Sequence, residues 1–191
     1  MPLMSSEMPR RAALLLLAAA PAACTSPNPI LYVLAPVPGT ILTGAPRNVA
    51  LRAISLARYL ERSQIVRSSE GYRLDVLSNE WWGEPLDALM NRILVQELAQ
   101  RLPGSTVYAD NGAISMPPDA TVEINLQRFD LDHTGAVLLL AQVAVRGHPT
   151  AERGISLTVR PSDQTTSALV AAMSTAVGRL ADAIAALLVG Q

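Results

Sequence analysis

The chain has 191 residues, half of them hydrophobic and 16% charged, with a mean hydropathy of +0.27, which excludes a disordered or highly charged protein. Fifteen basic residues stand against sixteen acidic ones for a net charge of -1, so no whole-molecule field points to nucleic acid as a partner. Every basic residue is Arg; a phosphate site would draw on Lys as well, and the bias fits a GC-rich coding sequence.

Arg10 and Arg11 precede the apolar run Ala12 to Ala20, and Pro21-Ala22-Ala23-Cys24 follows. A charged start, a short apolar stretch and small residues before a cleavage point read as an export signal, whereas a spanning helix needs roughly 20 apolar residues. Cys24, the chain's one cysteine, forms no internal disulfide and stands where a bacterial lipoprotein signal ends. The stretch resembles a lipobox: the thiol accepts a diacylglyceryl group, and Ala22 and Ala23 let the peptidase close on the chain. Pro21 departs from the aliphatic residue usual there. Residues 1–23 are thus expected to be a lipoprotein signal peptide, residues 24–29 a lipidated tether rich in breakers, and residues 30–191 one periplasmic domain. Thr25, rather than Asp, after the cysteine points to the outer membrane. Three acyl chains would anchor the protein far more firmly than one.

The run from Ile30 to Leu34 reads as a first strand, stopped by Pro36 and Pro38. Asn48 to Leu56 is apolar on both faces and reads as one buried strand. Gln64 to Arg67 and Tyr72 to Leu77 read as two short strands around a polar turn, Ser68 to Gly71. Pro85 then opens a helix whose face carries Leu86, Met90, Ile93, Leu94, Glu97, Leu98 and Leu102, ended by Pro103-Gly104. Thr106 to Tyr108 is a short strand before a loop. Ala120 to Phe129 alternates apolar with polar as a one-sided strand, and Ala136 to Val145 returns beside it after the turn Asp132 to Gly135. Gly154 to Arg160 adds a strand after the turn-like Gly147 to Arg153, and Ser162 to Val189 is an Ala-rich helix with Leu169, Met173, Ala176, Leu180 and Ile184 on one face. The expected fold class is α/β in the α+β sense: a mixed, largely antiparallel sheet with two long helices packed on one face.

No phosphate loop, nucleophile elbow or His-Glu-x-x-His helix occurs. Asp130, Asp132 and His133 gather three potential ligands within four residues, but on a strand entering a turn the two Asp share one side and His133 faces the other, so neither a metal nor a cofactor is expected. A hydrolase using these residues with Glu84 lacks a placeable nucleophile, base and orienter; His148 beside Pro149 reads as a solvated turn residue. Trp81 and Trp82 form an aromatic pair in a chain with few aromatics, one suited to the core and the other to a partner or lipid.

Taken in order, Tyr32-Val33-Leu34, the stretch Tyr59-Leu60-Glu61-Arg62-Ser63-Gln64-Ile65-Val66-Arg67, Trp82-Gly83-Glu84-Pro85-Leu86 leading into a helix, and the strand pair Val122 to Phe129 and Gly135 to Val145 resemble the ABC-type transport auxiliary lipoproteins of the PqiC type. Ala57 departs from the Pro often found before the Tyr-Leu-x-Arg segment. The resemblance implies a non-catalytic periplasmic domain that works with an MCE-domain protein of an inner-membrane-linked transport system carrying phospholipid or other hydrophobic molecules. It places this chain at the outer-membrane end of that assembly and leaves room for a homo-oligomer matched to it. Tyr59, Arg62, Gln64 and Trp82 are the candidate partner-binding residues, and Cys24 the lipidation site. An envelope lipoprotein that regulates a periplasmic enzyme by binding it is the alternative.

Overall fold

A computed structural model describes residues 28–113, 116–147 and 149–191; the expected signal peptide, Cys24, most of the tether and His148 lie outside the described residues. Strands β1 (Ile30–Tyr32), β2 (Asn48–Leu51), β3 (Ser55–Leu56), β4 (Gln64–Glu70), β5 (Arg73–Trp82), β6 (Thr106–Ala109), β7 (Ala120–Leu131), β8 (Val137–Gly147) and β9 (Ala151–Val159) share one mixed sheet with helices α1 (Leu86–Arg101) and α2 (Thr166–Leu188). The long ladders β7–β8, β8–β9 and β4–β5 are antiparallel, and the short ones are parallel.

β7 organises the sheet. Its alternation buries Val122, Ile124 and Leu126, and β8 answers with Val137, Leu139, Ala141, Val143 and Val145; this apolar face meets α2, while α1 packs on α2 and β6. On its other edge β7 takes β2, β3 and β4 in turn, all parallel to it. The expected single strand from Asn48 to Leu56 is therefore two. Leu51 pairs with Val122 and Ser55 with Asn125, so one extra residue bulges out of the ladder at Arg52-Ala53-Ile54 and turns Ile54 into the core at 5% exposure.

The β4–β5 hairpin is longer than its hydrophobic pattern predicts, because Ser68 to Glu70 stay in the strand and the turn falls at Gly71-Tyr72. Trp81 and Trp82 end β5. β9 begins earlier than expected, at Ala151, and α2 starts at Thr166 after Thr165 caps it by accepting the Ala168 N–H at 3.2 Å. Pro85 stands one residue before α1, not inside it. Gly147 ends β8 with φ 113°, where an added Cβ would lie 2.3 Å from the Asp119 carbonyl oxygen, so the turn demands glycine.

The first strand is also shorter than expected, and the chain after it forms a strap held by the helices. The Ala35, Val37 and Gly39 N–H groups donate to Ser174 Oγ at 3.1 Å, Glu97 Oε1 at 2.7 Å and Gln100 Oε1 at 3.0 Å. The intervening Pro36 and Pro38 have no N–H to satisfy, so the Ala-Pro-Val-Pro-Gly sequence suits a ribbon whose donors all face the helices. Arg101, 1% exposed, locks it: its guanidinium donates to the Val37, Glu97 and Gly178 carbonyls and to Asp182 Oδ1 at 2.6 Å.

Candidate partner-binding groove

The bulge at Ile54, the chain following β3 and the β5–α1 junction enclose a groove of about 500 Å³. Ile54, Trp82 and Leu86 form its apolar floor, at 5%, 6% and 3% exposure. The Trp82 N–H donates to the Ser63 carbonyl at 2.7 Å and the Gly83 N–H to the Tyr32 carbonyl at 2.8 Å, which pins the junction against both neighbours. Glu61, Glu84 and Asp87 stand at the rim, and Arg62 is the one cation among the lining residues. Arg92, in the second turn of α1, pairs with Glu84. The result is a polar, net-acidic mouth over an apolar floor.

Two of the four residues expected to bind a partner, Arg62 and Trp82, meet in this groove. Arg62 is exposed, and its Nε donates to the Tyr59 carbonyl at 3.1 Å. Trp82 is the buried member of the aromatic pair; half-buried Trp81 donates its Nε1–H to the Ser78 carbonyl at 3.0 Å. Gln64, half-buried, opens β4 opposite Trp81 and does not line the groove.

Tyr59 faces the interior. Its hydroxyl donates to Asp130 Oδ2 at 2.7 Å and accepts the Phe129 N–H at 3.3 Å. Asp130, 1% exposed, also accepts from Ser68 Oγ at 3.1 Å and from the Arg128 guanidinium at 3.0 Å. A register shift between Leu126 and Arg128 makes this cluster possible, because it puts Phe129 on the face shared with Leu139 and sends Arg128 and Asp130 to the other. Burial, then the Asp130 carboxylate, push the Tyr59 phenol well above its ordinary range, and the hydrogen bond to Asp130 raises Arg128. Asp132 is held apart: its Oδ1 accepts the Thr134 and Ala136 N–H groups at 2.8 and 3.0 Å within the turn. Asp130 and Asp132 thus have separate partners, and Glu84 lies with the groove. Among the described residues no cluster of His, Cys, Asp and Glu is arranged to hold a metal ion.

The sequence reading placed Glu97 on the helical face but missed what it does with Arg101. Two charged residues at i and i+4 on an otherwise apolar stripe, in a chain that also carries a Pro-x-Pro-Gly strap, were the available signal.

Over residues 32–185 the sequence matches the family model of ABC-type transport auxiliary lipoprotein components. The chain belongs to that family. Two crystal structures resemble this member of the auxiliary lipoproteins. One, of an uncharacterized protein, has a TM-score of 0.72 at 18% identity and covers 83% of this chain and 97% of the other. The second, of a protein from Xanthomonas campestris, has a TM-score of 0.69 at 16% identity, covering 82% and 92%. At such identities they establish the fold alone. No curated protein matches the sequence. The auxiliary-lipoprotein match takes in β4, the groove and both strands of the β7–β8 hairpin. Among the described residues one helix, α2, is long and apolar enough to cross a membrane, but 72% of its most apolar window is buried inside the fold, as suits a core helix.

Proposed function

We propose that the protein is a non-catalytic, outer-membrane-anchored periplasmic lipoprotein, acylated on Cys24, that docks an MCE-domain protein of an ABC-type transport system moving phospholipid or other hydrophobic molecules across the envelope. The family match over most of the chain carries the reading. The lipobox-like Ala22-Ala23-Cys24 and the groove at Arg62 and Trp82 support it. The rim's carboxylates and the single Arg62 guanidinium favour a partner segment with an apolar side chain, a basic group facing Glu61 or Asp87, and a carbonyl or carboxylate that accepts from Arg62.

Crosslinking and affinity purification of the tagged full-length protein from its own envelope tests the reading, with Cys24→Ala and Arg62→Ala in parallel. Recovery of an MCE protein, reduced by either substitution, is expected. If no such partner is recovered and Cys24→Ala behaves as wild type, the transport assignment falls and regulation of an envelope enzyme by binding becomes the reading to test.

A further inference from the structure

The turn residue Tyr72 is 90% exposed, and Leu74 and Val76, which follow it on alternate positions of β5, are 45% and 41% exposed. Alternate residues of a strand share a face, so these three form an apolar stripe running to the tip of the β4–β5 hairpin. β1 adds Leu31, 62% exposed, opposite Trp81 at the far end of the same strand, on the face that Gln64 and Val66 of β4 share with Val76. Contiguous exposed apolar residues mark a contact surface more often than scattered ones do.

The strand register indicates what covers that surface. β1 runs parallel to β5 with Ile30 opposite Glu80, so the chain preceding Ile30 arrives from the side of the hairpin tip. β5 bulges between Val76 and Trp81, where five of its steps stand against two of β4, so the six steps of β4 from Gln64 to Glu70 measure the distance to the tip, about 20 Å, and the six steps from Cys24 to Ile30 also reach at most about 20 Å. A tether of that reach brings an acylated cysteine no farther than the level of the tip, so the tip meets the surface that holds the acyl chains.

We infer that the β4–β5 hairpin tip rests on the phospholipid surface that holds the anchor, with the Tyr72 ring in the headgroup layer and Leu74 and Val76 behind it. This rests on the proposed acylation of Cys24. Tyrosine suits that depth, where the ring lies in an apolar layer and the hydroxyl stays wet. Arg67 and Arg73 are offset by Glu70 and Asp75 along the two strands, so the contact is apolar and insensitive to salt and to the fraction of anionic lipid.

The mature full-length protein, purified from its envelope and reconstituted into phosphatidylethanolamine–phosphatidylglycerol vesicles, allows a direct measurement. Acylation consumes the chain's one native thiol, so Tyr72→Cys supplies a unique site for an environment-sensitive dye. Thr150→Cys supplies the control: β4 runs parallel to β7 with Arg67 opposite Leu131, which puts the hairpin tip beyond one end of β7 and Thr150 at the other. Spin-labelled lipid in the vesicles should quench the dye at position 72 at least twofold and leave the dye at position 150 unchanged, at low and high salt alike. Equal, weak quenching at both positions in protein that floats with the vesicles overturns the inference and leaves the anchor standing. A blue shift at position 72 without lipid quenching also overturns it, in favour of a protein contact. If the wild-type protein itself exposes a labelled Cys24 thiol and fails to float, the anchoring reading fails and takes this inference with it.

Discussion

Replacing Glu97 by Gln should remove one identifiable component of the protein's stability against pH. The carboxyl is 1% exposed; its Oε1 accepts the Val37 N–H at 2.7 Å, and its Oε2 has no hydrogen-bond partner. Burial raises it from 4.5 to about 6 against the opposing pull of the Val37 N–H and the Arg101 charge, and Asp182 adds to the rise. The folded chain therefore holds the proton more tightly than the unfolded chain does. Its contribution is fully present below about 4.5 and is lost as pH rises through about 6. The gap between the two values corresponds to about 2 kcal/mol at 1.36 kcal/mol for each pH unit. Asp163, held below its ordinary value by the Thr165 hydroxyl and N–H, has the opposite trend, as does Asp132, where hydrogen bonds from Thr134 and Ala136 outweigh burial. The raw curve is a sum of these effects, and the difference between wild type and Glu97→Gln isolates one of them, since the amide oxygen can still accept from Val37. Urea unfolding followed by tryptophan fluorescence from pH 4 to pH 8 is the assay. Relative to wild type, the Gln variant should gain about 2 kcal/mol between pH 4.5 and pH 7.5; a difference that stays flat within about 0.5 kcal/mol would refute the account of Glu97 as a strained buried carboxyl.

Arg101→Ala, which removes the strap's tie at the Val37 carbonyl together with the contacts to the Glu97 and Gly178 carbonyls and to Asp182, should cost about 3–5 kcal/mol in urea unfolding; Asp182→Ala, at a half-exposed carboxylate, should cost much less. Gly178→Ala should destabilise by about 1–3 kcal/mol although alanine is the better helix former, because its Cβ would lie 2.9 Å from Val37 Cβ; thermal melting gives the sign. Tyr59→Phe should cost about 1–3 kcal/mol through the lost bond to buried Asp130 and leave partner capture from the envelope unchanged for the protein that folds. Arg62→Ala should do the reverse, shifting stability by less than about 0.5 kcal/mol while reducing capture.

The sheet and both helices were legible because their patterns are local: period two in β7 and β8, a helical stripe in α1 and α2. Where a residue's surroundings come from a distant segment, the pattern misleads. Ser68 reads as a turn residue until Asp130, brought in by β7, gives its hydroxyl a buried partner. The bulge at Arg52 to Ile54 depends on the spacing of two partners on β7, which no window of the β2–β3 segment contains. Tyr59 and Arg62 were indistinguishable as neighbours in one motif, yet a three-residue helical turn at Arg58–Leu60 aims the tyrosine at the sheet and leaves the guanidinium at the groove. Arg62 and Trp82 could be named in advance as site residues, whereas the acidic rim that joins them required the β5–α1 junction to be folded.

β5 also connects the two proposed contacts. Tyr72 begins the hairpin's return and Trp82 ends it, so the tip and the groove stand at opposite ends of one hairpin arm, about 20 Å apart by the six steps of β4 from Gln64 to Glu70. That strand is held against β4 from Arg73 to Val76 and again at Trp81, against β1 from Glu80 to Trp82, and pinned at Trp82 by the Ser63 carbonyl. A body tied to a bilayer by a six-residue tether alone could present any face to a partner. Two points of attachment on the same rigid ladder restrict it to orientations that hold the groove away from the lipid, and a partner reaching across the periplasm then meets Arg62 and Trp82 without the domain having to reorient. Disabling the tip by Tyr72→Ser with Leu74→Ser should therefore leave the affinity of the detergent-solubilised protein for its partner unchanged and weaken capture only on membranes.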